Sequence, residues 1–238
     1  LTNELTEAGW IVETQQNQYA GFPIFNLVAE QAGADSDEDL FWVILGAHYD
    51  TRFYSDQDPD PTKRMTPMIG ANDGGSGVAV LLELARVLPE FDNLRVSLVF
   101  FDAEDNGNLP GWDWIIGSRL FVNELAEPPN AVVVVDMIGD ADQNIYQEMS
   151  SDQSLNDEIW SVAADLEITT FIDEDKHTIL DDHTPFLNAG IPAIDIIDFD
   201  YPHWHATSDT LDKVSPESLK NVGDVLLEWL IRKETISV

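Results

Sequence analysis

The chain has 238 residues, with 11 Lys and Arg against 45 Asp and Glu and a formal net charge of −34. Such an excess repels phosphate backbones and anionic bilayers, so neither nucleic acid nor membrane is expected as a partner, and no apolar run reaches transmembrane length. Cysteine is absent, which removes disulfides and thiol catalysis while leaving the compartment open.

The length suits one α/β domain over residues 1–238, and no linker, internal repeat or low-complexity tract divides it. The segment through Trp10 reads as part of a helix already under way, which points to residues lost upstream and keeps a signal peptide open. The charge fits either a salt-rich habitat or a secreted protein kept soluble, and a secreted or extracytoplasmic location is the expectation.

Phe41 to Leu45 is an apolar run that leads into Gly46-Ala47-His48-Tyr49-Asp50-Thr51. There an imidazole and a carboxylate sit two residues apart on one side of an extended segment. Ser55 to Pro61 is an acidic proline loop that lacks the spacing and glycine of an EF-hand, and it reads as a solvated lid or rim. Gly70-Ala71-Asn72-Asp73-Gly74-Gly75-Ser76-Gly77 is a glycine-rich turn opening an amphipathic helix near 76 to 89. Its glycines allow close backbone approach, and Asp73 can be held by free amides at the helix start.

Val96 to Phe101 is nearly continuous in its apolar character, as expected of a strand covered on both faces. It ends in Asp102-Ala103-Glu104-Asp105, two adjacent carboxylates that a buried sheet does not need. Ligands collect beyond the carboxyl ends of strands in open α/β sheets. Neighbouring residues leaving a strand diverge, so one carboxylate can bind a metal while the other works as acid or base. Further helices are expected near 113 to 124, 153 to 165 and 215 to 232. Between them, Ala131 to Val135 leads into Asp136, and Ala193 to Ile197 leads to Tyr201-Pro202-His203-Trp204-His205. The alternation is that of a sheet flanked by helices.

Collected at successive strand ends, His48, Asp73, Glu104, Asp105, Asp136 and His205 offer oxygen and imidazole donors without a thiolate. That set suits catalytic zinc, which takes three protein ligands and keeps one position open. His177 and His203 are read as pocket or surface residues.

The segments GAHYDT (46–51), GANDGGSG (70–77), FFDAED (100–105), GSR (117–119), VVDMIG (134–139), DDHTPF (181–186) and WHATSDT (204–210) resemble the M28 zinc metallopeptidase superfamily. The likeness covers roughly residues 40 to 235, and within the superfamily the chain is similar to the glutaminyl cyclase branch. The resemblance implies a single-domain three-layer α/β/α fold with a mixed, mostly parallel central sheet and the zinc site at the strand carboxyl ends.

Two chemistries fit the same residues. Similarity to the two-zinc aminopeptidases would make Asp73 a bridge, with His48 and Asp136 on one metal and Asp105 and His205 on the other, and Glu104 activating the attacking water. Similarity to the cyclases implies one zinc on Asp73, Asp105 and His205, with Glu104 as proton shuttle and Asp136 left for the substrate. Trp204 before His205 favours the cyclase as an aromatic wall, with simple packing as the alternative. Asp181-Asp182-His183 favours it too, Asp181 joining the proton-handling network, with a helix N-cap pair as the alternative. Asp105 departs from the Glu-Glu pair usual in the aminopeptidases. The expected function is formation of N-terminal pyroglutamate from glutaminyl peptides with ammonia release, and the alternative is an aminopeptidase. A binding module that had lost its chemistry is disfavoured because no candidate ligand is missing. Peptide N-termini are the expected partners, and the chain is expected to be a monomer.

Overall fold

The computed structural model describes residues 1–31 and 40–236. A short helix α1 (Thr2–Glu7) is followed by β1 (Trp10–Tyr19) and β2 (Phe22–Gln31), then β3 (Phe41–His48), α2 (Gly75–Val87), β4 (Leu94–Phe101), α3 (Ile116–Glu124) and β5 (Ala131–Asp136). The chain continues through β6 (Ile145–Gln147), α4 (Gln153–Asp165), β7 (Phe171–Asp175), α5 (Thr184–Asn188), β8 (Ala193–Ile197) and α6 (Pro216–Ile236). The expected helix through Trp10 stops earlier: Gly9 turns the chain at φ +93, and Trp10 opens β1.

Among the described residues, six strands form the main sheet in the order β1-β2-β4-β3-β5-β8. β3, β4, β5 and β8 run parallel, while the hairpin β1–β2 adds two antiparallel strands beyond β4. The four parallel strands read as continuous apolar runs because both faces are covered. On one face Val43, Leu45, Val133 and Val135 pack with Leu81 and Leu84 of α2, Ile159 of α4 and Val222 and Leu226 of α6. On the other, the intervening residues Ile44, Val132 and Val134 pack with Phe121 of α3 and Phe186 of α5. The result is the three-layer α/β/α arrangement with a mixed, mostly parallel sheet.

Chain order reverses at β3. The chain leaves β3 for β4 on one side and returns to β5 on the other, and such a switch opens a crevice at the carboxyl ends of the strands. Two glycines let the helices press close to that edge. A Cβ on Gly77 would lie 2.3 Å from the Val135 carbonyl oxygen, and one on Gly117 would lie 2.2 Å from that of Asp102. No helix among the described residues is long and apolar enough to cross a membrane.

Candidate active site

The crevice gathers the residues singled out in the sequence. His48 and Asp136 are the last residues of β3 and β5, Asp73 lies just before α2, Glu104 and Asp105 follow β4, Asp181 precedes α5, and His205 follows β8. All seven are buried. The backbone around them is strained at three points, where Ala103 (φ +54), Met137 (+47) and His205 (+51) adopt left-handed geometry, while Gly74 takes φ +83 without that cost. Left-handed non-glycine residues cost of order 1–3 kcal/mol and persist where surrounding structure overrides them.

Surrounding hydrogen bonds supply that constraint. Asp50 accepts from the Glu104 amide (3.0 Å), the Asp105 amide (3.3 Å) and Asn106 Nδ2 (3.2 Å), fixing the carboxylate-bearing turn. Asp209 accepts from the amides of Asn72 (2.9 Å) and Asp73 (3.2 Å) and from the Tyr201 hydroxyl (2.7 Å). The expectation that helix-start amides would hold the Asp73 carboxylate is therefore reversed: α2 begins only at Gly75, and the Asp73 amide is taken by Asp209. Arg52 donates to the carbonyls of Asp105 (2.7 Å) and Gly107 (3.2 Å) and clamps Asp56 with two further bonds.

The loop from Ser55 to Pro61 is no solvated lid throughout. Ser55 and Asp58 are buried, and Asp58 accepts from the Thr207 amide (3.0 Å) and hydroxyl (2.5 Å), tying this loop to the one that carries His205. Asp181 and Asp182 are not side-chain caps of α5, whose N-cap is His183 without a side-chain bond. Instead Asp182 accepts from Ser118 of the GSR segment (2.5 Å), and Asp181 accepts from the Asp182 amide (2.5 Å). His177 pairs with Asp200 (3.1 Å) and His203 with Ser208 (2.8 Å), both away from the crevice lining.

Among the described residues, two groups of three can converge on a cation: Asp73, Asp105 and His205, and His48, Asp73 and Asp136. They differ in how their atoms are satisfied. In the first, His205 Nε2, Asp105 Oδ2 and Asp73 Oδ2 are buried without a hydrogen-bond partner, although His205 Nε2 lies 2.7 Å from Asp105 Oδ1. In the second, His48 Nδ1 and the shared Asp73 Oδ2 are also unpartnered, but His48 Nε2 already bonds Asp136 Oδ1 at 3.0 Å, and that oxygen accepts from the Met137 amide at 2.7 Å. Unpartnered buried polar atoms cost about 1–3 kcal/mol each, so their clustering marks the first group as the better built for a metal.

The electrostatics point the same way. Burial, followed by repulsion from Asp105, pushes Asp73 up to about 7. Burial also carries Glu104 well above the carboxylate range, with Asp181 the next cause, and it raises Asp105. Burial holds His205 down at about 4, keeping the imidazole neutral as metal ligation requires. A divalent cation among these oxygens would favour their ionised forms. With three oxygen or imidazole donors and no thiolate, the set fits zinc with an open position.

Beside the donors lies a cavity of about 180 Å³ edged by Glu104, Asp136 and Asp181 and walled by Trp114, Phe199 and Trp204. Trp204 stacks on His205 with ring centroids 3.8 Å apart, and Trp114 lies nearly parallel to the same imidazole at 5.9 Å. Trp204 was expected at this wall. Trp114 and Arg52 are not marked by their local sequence, and Asp58 and Asp209, although they lie in the acidic proline loop and the WHATSDT segment, carry no local sign of the partners they hold.

Residues 26–230 match peptidase family M28. The glutaminyl-peptide cyclotransferase of Gloydius blomhoffii is 23% identical to this chain, over 94% of the chain and 71% of that protein. Among solved structures, the glutaminyl cyclase of Porphyromonas gingivalis superposes with a TM-score of 0.88 at 30% identity, covering 97% of this chain and 87% of that one. A Zn-dependent exopeptidase from Parabacteroides distasonis superposes with a TM-score of 0.85 at 32% identity, covering 95% and 85%. The match to the family spans most of the sequence, and the chain belongs to peptidase family M28.

Proposed function

We propose that this chain is a zinc-dependent glutaminyl-peptide cyclotransferase, an acyl-transferring enzyme that closes N-terminal glutamine into pyroglutamate and releases ammonia, with residues 1–238 forming one catalytic domain. The observation that carries the reading is the small aromatic-walled cavity, about 180 Å³, set between the Asp73–Asp105–His205 donors and the carboxyl edge of Glu104, Asp136 and Asp181. Cavities for drug-sized ligands run from roughly 300 Å³ upward. This one suits a single folded-back residue. Its likeness to cyclotransferases and glutaminyl cyclases supports the same reading.

In the proposed reaction the substrate's α-amine nitrogen attacks the carbon of its own side-chain amide. The new carbon–nitrogen bond closes a five-membered lactam, and the bond to the amide nitrogen breaks. Glu104, whose raised affinity for protons suits an acid–base group, takes the proton from the attacking amine and returns it to the nitrogen that leaves as ammonia. Asp136 orients the amine, and Asp181, held up at about 6 by burial and then by Asp136, sits beside it in the same lining. Trp204 packs on the substrate side chain and keeps amine and carbonyl in reacting geometry. Zinc held by Asp73, Asp105 and His205, one per chain, would supply a Lewis acid for the side-chain carbonyl and its developing negative charge.

The second reading is an M28 aminopeptidase with two metals, the second on His48 and Asp136 with Asp73 shared. Convergence of those three residues and the likeness to a Zn-dependent exopeptidase favour it. Peptide or protein N-termini are the proposed partners of either enzyme. The surplus of carboxylates supports a monomer working outside the cytoplasm. Ammonia release from a glutaminyl peptide, measured together with zinc content per chain, tests the assignment. One zinc with stoichiometric ammonia is expected, and two zincs with hydrolysis of the first peptide bond would replace it with the aminopeptidase.

A further inference from the structure

The cavity beside the donors ends at a wall that it shares with a second cavity. Trp114 and Leu180 line both, and the second, about 320 Å³, continues past them to Asp113, Arg119, Pro185 and Asn188 on α3, α5 and the loops before them. If the first cavity holds one residue, the rest of a peptide must leave over its rim. The shared wall makes the second cavity a continuation of that path, and Leu180, more than half exposed, forms an apolar sill between the two.

Arg119 gives the second cavity its chemistry. It is the one Lys or Arg among the residues lining either cavity, where the first is edged by carboxylates. Its side chain is 42% exposed, and its short hydrogen bond goes to the Trp114 carbonyl (2.8 Å), which holds the guanidinium beside the residue that both cavities share. Asp113 stands 3.5 Å away, but that carboxylate is 62% exposed and already accepts from the Tyr19 hydroxyl at 2.7 Å. An ion pair so exposed contributes little. Guanidinium offers five donors in a planar fork, so capacity remains for an incoming carboxylate.

We propose that the Trp114–Leu180–Arg119 groove is a subsite for the residues following the substrate's first, and that Arg119 recognises a carboxylate there. That carboxylate is either an acidic side chain at the second or third position or the free C-terminus of a tripeptide. Arg119 is a specificity-determining residue in this assignment, remote from the reacting atoms. The inference rests on the proposed function only for the ammonia readout, because a peptide entering by its N-terminus would cross the same rim in a peptidase.

The test compares Gln-Ala-Glu-amide with Gln-Ala-Gln-amide for the side-chain source, and Gln-Ala-Ala with Gln-Ala-Ala-amide for the C-terminal source. Each pair is measured on the zinc-loaded enzyme, on Arg119→Gln and on Arg119→Lys, by ammonia release and, separately, by calorimetric binding at fixed salt. Reading the acid-to-neutral ratio cancels both the repulsion from the whole surface and any general loss caused by a displaced Trp114. The ratio for at least one pair is expected to fall by about three- to tenfold in Arg119→Gln, in line with a partly exposed charge-assisted bond, and to be partly kept in Arg119→Lys. Ratios equal in all three proteins for both pairs would overturn the subsite. If no glutaminyl peptide yields ammonia while the binding ratio still falls with Arg119→Gln, the cyclase reading fails and the subsite stands.

Discussion

Trp204 lies against the imidazole of its own neighbour His205, ring centroids 3.8 Å apart and 26° from parallel. Successive side chains on an extended backbone point to opposite faces. The left-handed conformation of His205, φ +51, departs from that geometry where the two rings meet. One residue pair thus joins a candidate metal donor to the wall of the cavity beside it.

That coupling makes metal content the first measurement. Purified enzyme dialysed without chelator is expected to carry close to one zinc per chain. His205→Ala should lose it, since His205 Nε2 is one of three unpartnered atoms in the donor set. His48→Ala should keep it, because His48 Nε2 is already bonded to Asp136. Elemental analysis of the three proteins decides. Two zincs in the parent enzyme and one in His48→Ala would transfer the site to the aminopeptidase reading.

Glu104→Gln keeps the shape and removes the base. Zinc and fold should be retained, while turnover of glutaminyl peptide falls by about 10²-fold or more, the usual contribution of a positioned acid–base group. Zinc lost from this variant, or turnover within a few-fold of the parent, would show that Glu104 and Asp105 have been given each other's roles.

The parts of the molecule legible in sequence share one property: their signal is local. β3, β4, β5 and β8 are short runs with both faces buried, so apolar residues follow one another and each run ends visibly at a carboxylate or a polar loop. The hairpin leaves little local signal because β1 is an edge strand bearing Gln15, Gln16, Asn17 and Gln18. Its turn is Ala20-Gly21, with φ +50 and +88, lacking the Asn-Gly pair that usually announces such a turn. The candidate donors, which the fold brings together, are legible at strand ends. Their supports are not, because Asp209 reaches Asn72 across 137 positions and Asp58 reaches Thr207 across 149. No pattern within a window of sequence carries such pairings.

Asp195 is another residue hidden in this way. It stands inside the apolar run of β8, fully buried, with neither carboxylate oxygen hydrogen-bonded and His183 Nδ1 3.9 Å away. Burial, then the charges of Asp181, Asp136 and Glu148, raises it well above the ordinary value of 3.8. The folded protein therefore holds this proton to higher pH than the unfolded chain does, so the carboxyl's contribution is fully present below about 4 and is lost as pH rises toward its folded value. Asp195→Asn removes that dependence. Relative to the parent, the variant should gain stability as pH rises from 5 to 8, because only the parent must give up this buried proton. Denaturant unfolding at the two pH values measures it, and a difference that stays constant would mean the carboxylate is already charged at pH 5.

The leaving group separates the two enzyme classes most directly, and Trp204 is the residue that links it to structure. Cyclisation requires the α-amine to fold back onto the side-chain carbonyl, a geometry that a small aromatic-walled cavity can impose and that an aliphatic side chain cannot exploit. Glutaminyl peptides should therefore release one ammonia per product and leave no free α-amine, while leucyl and alanyl amides are cut poorly. Trp204→Ala should lower glutaminyl turnover by about tenfold or more with zinc retained, because it removes the wall while Asp73, Asp105 and His205 remain. If zinc departs with Trp204, the ring's main task is to hold His205 in place. If leucyl amides are hydrolysed efficiently while glutaminyl peptides give no ammonia, the cavity is a peptidase pocket and the cyclase assignment falls.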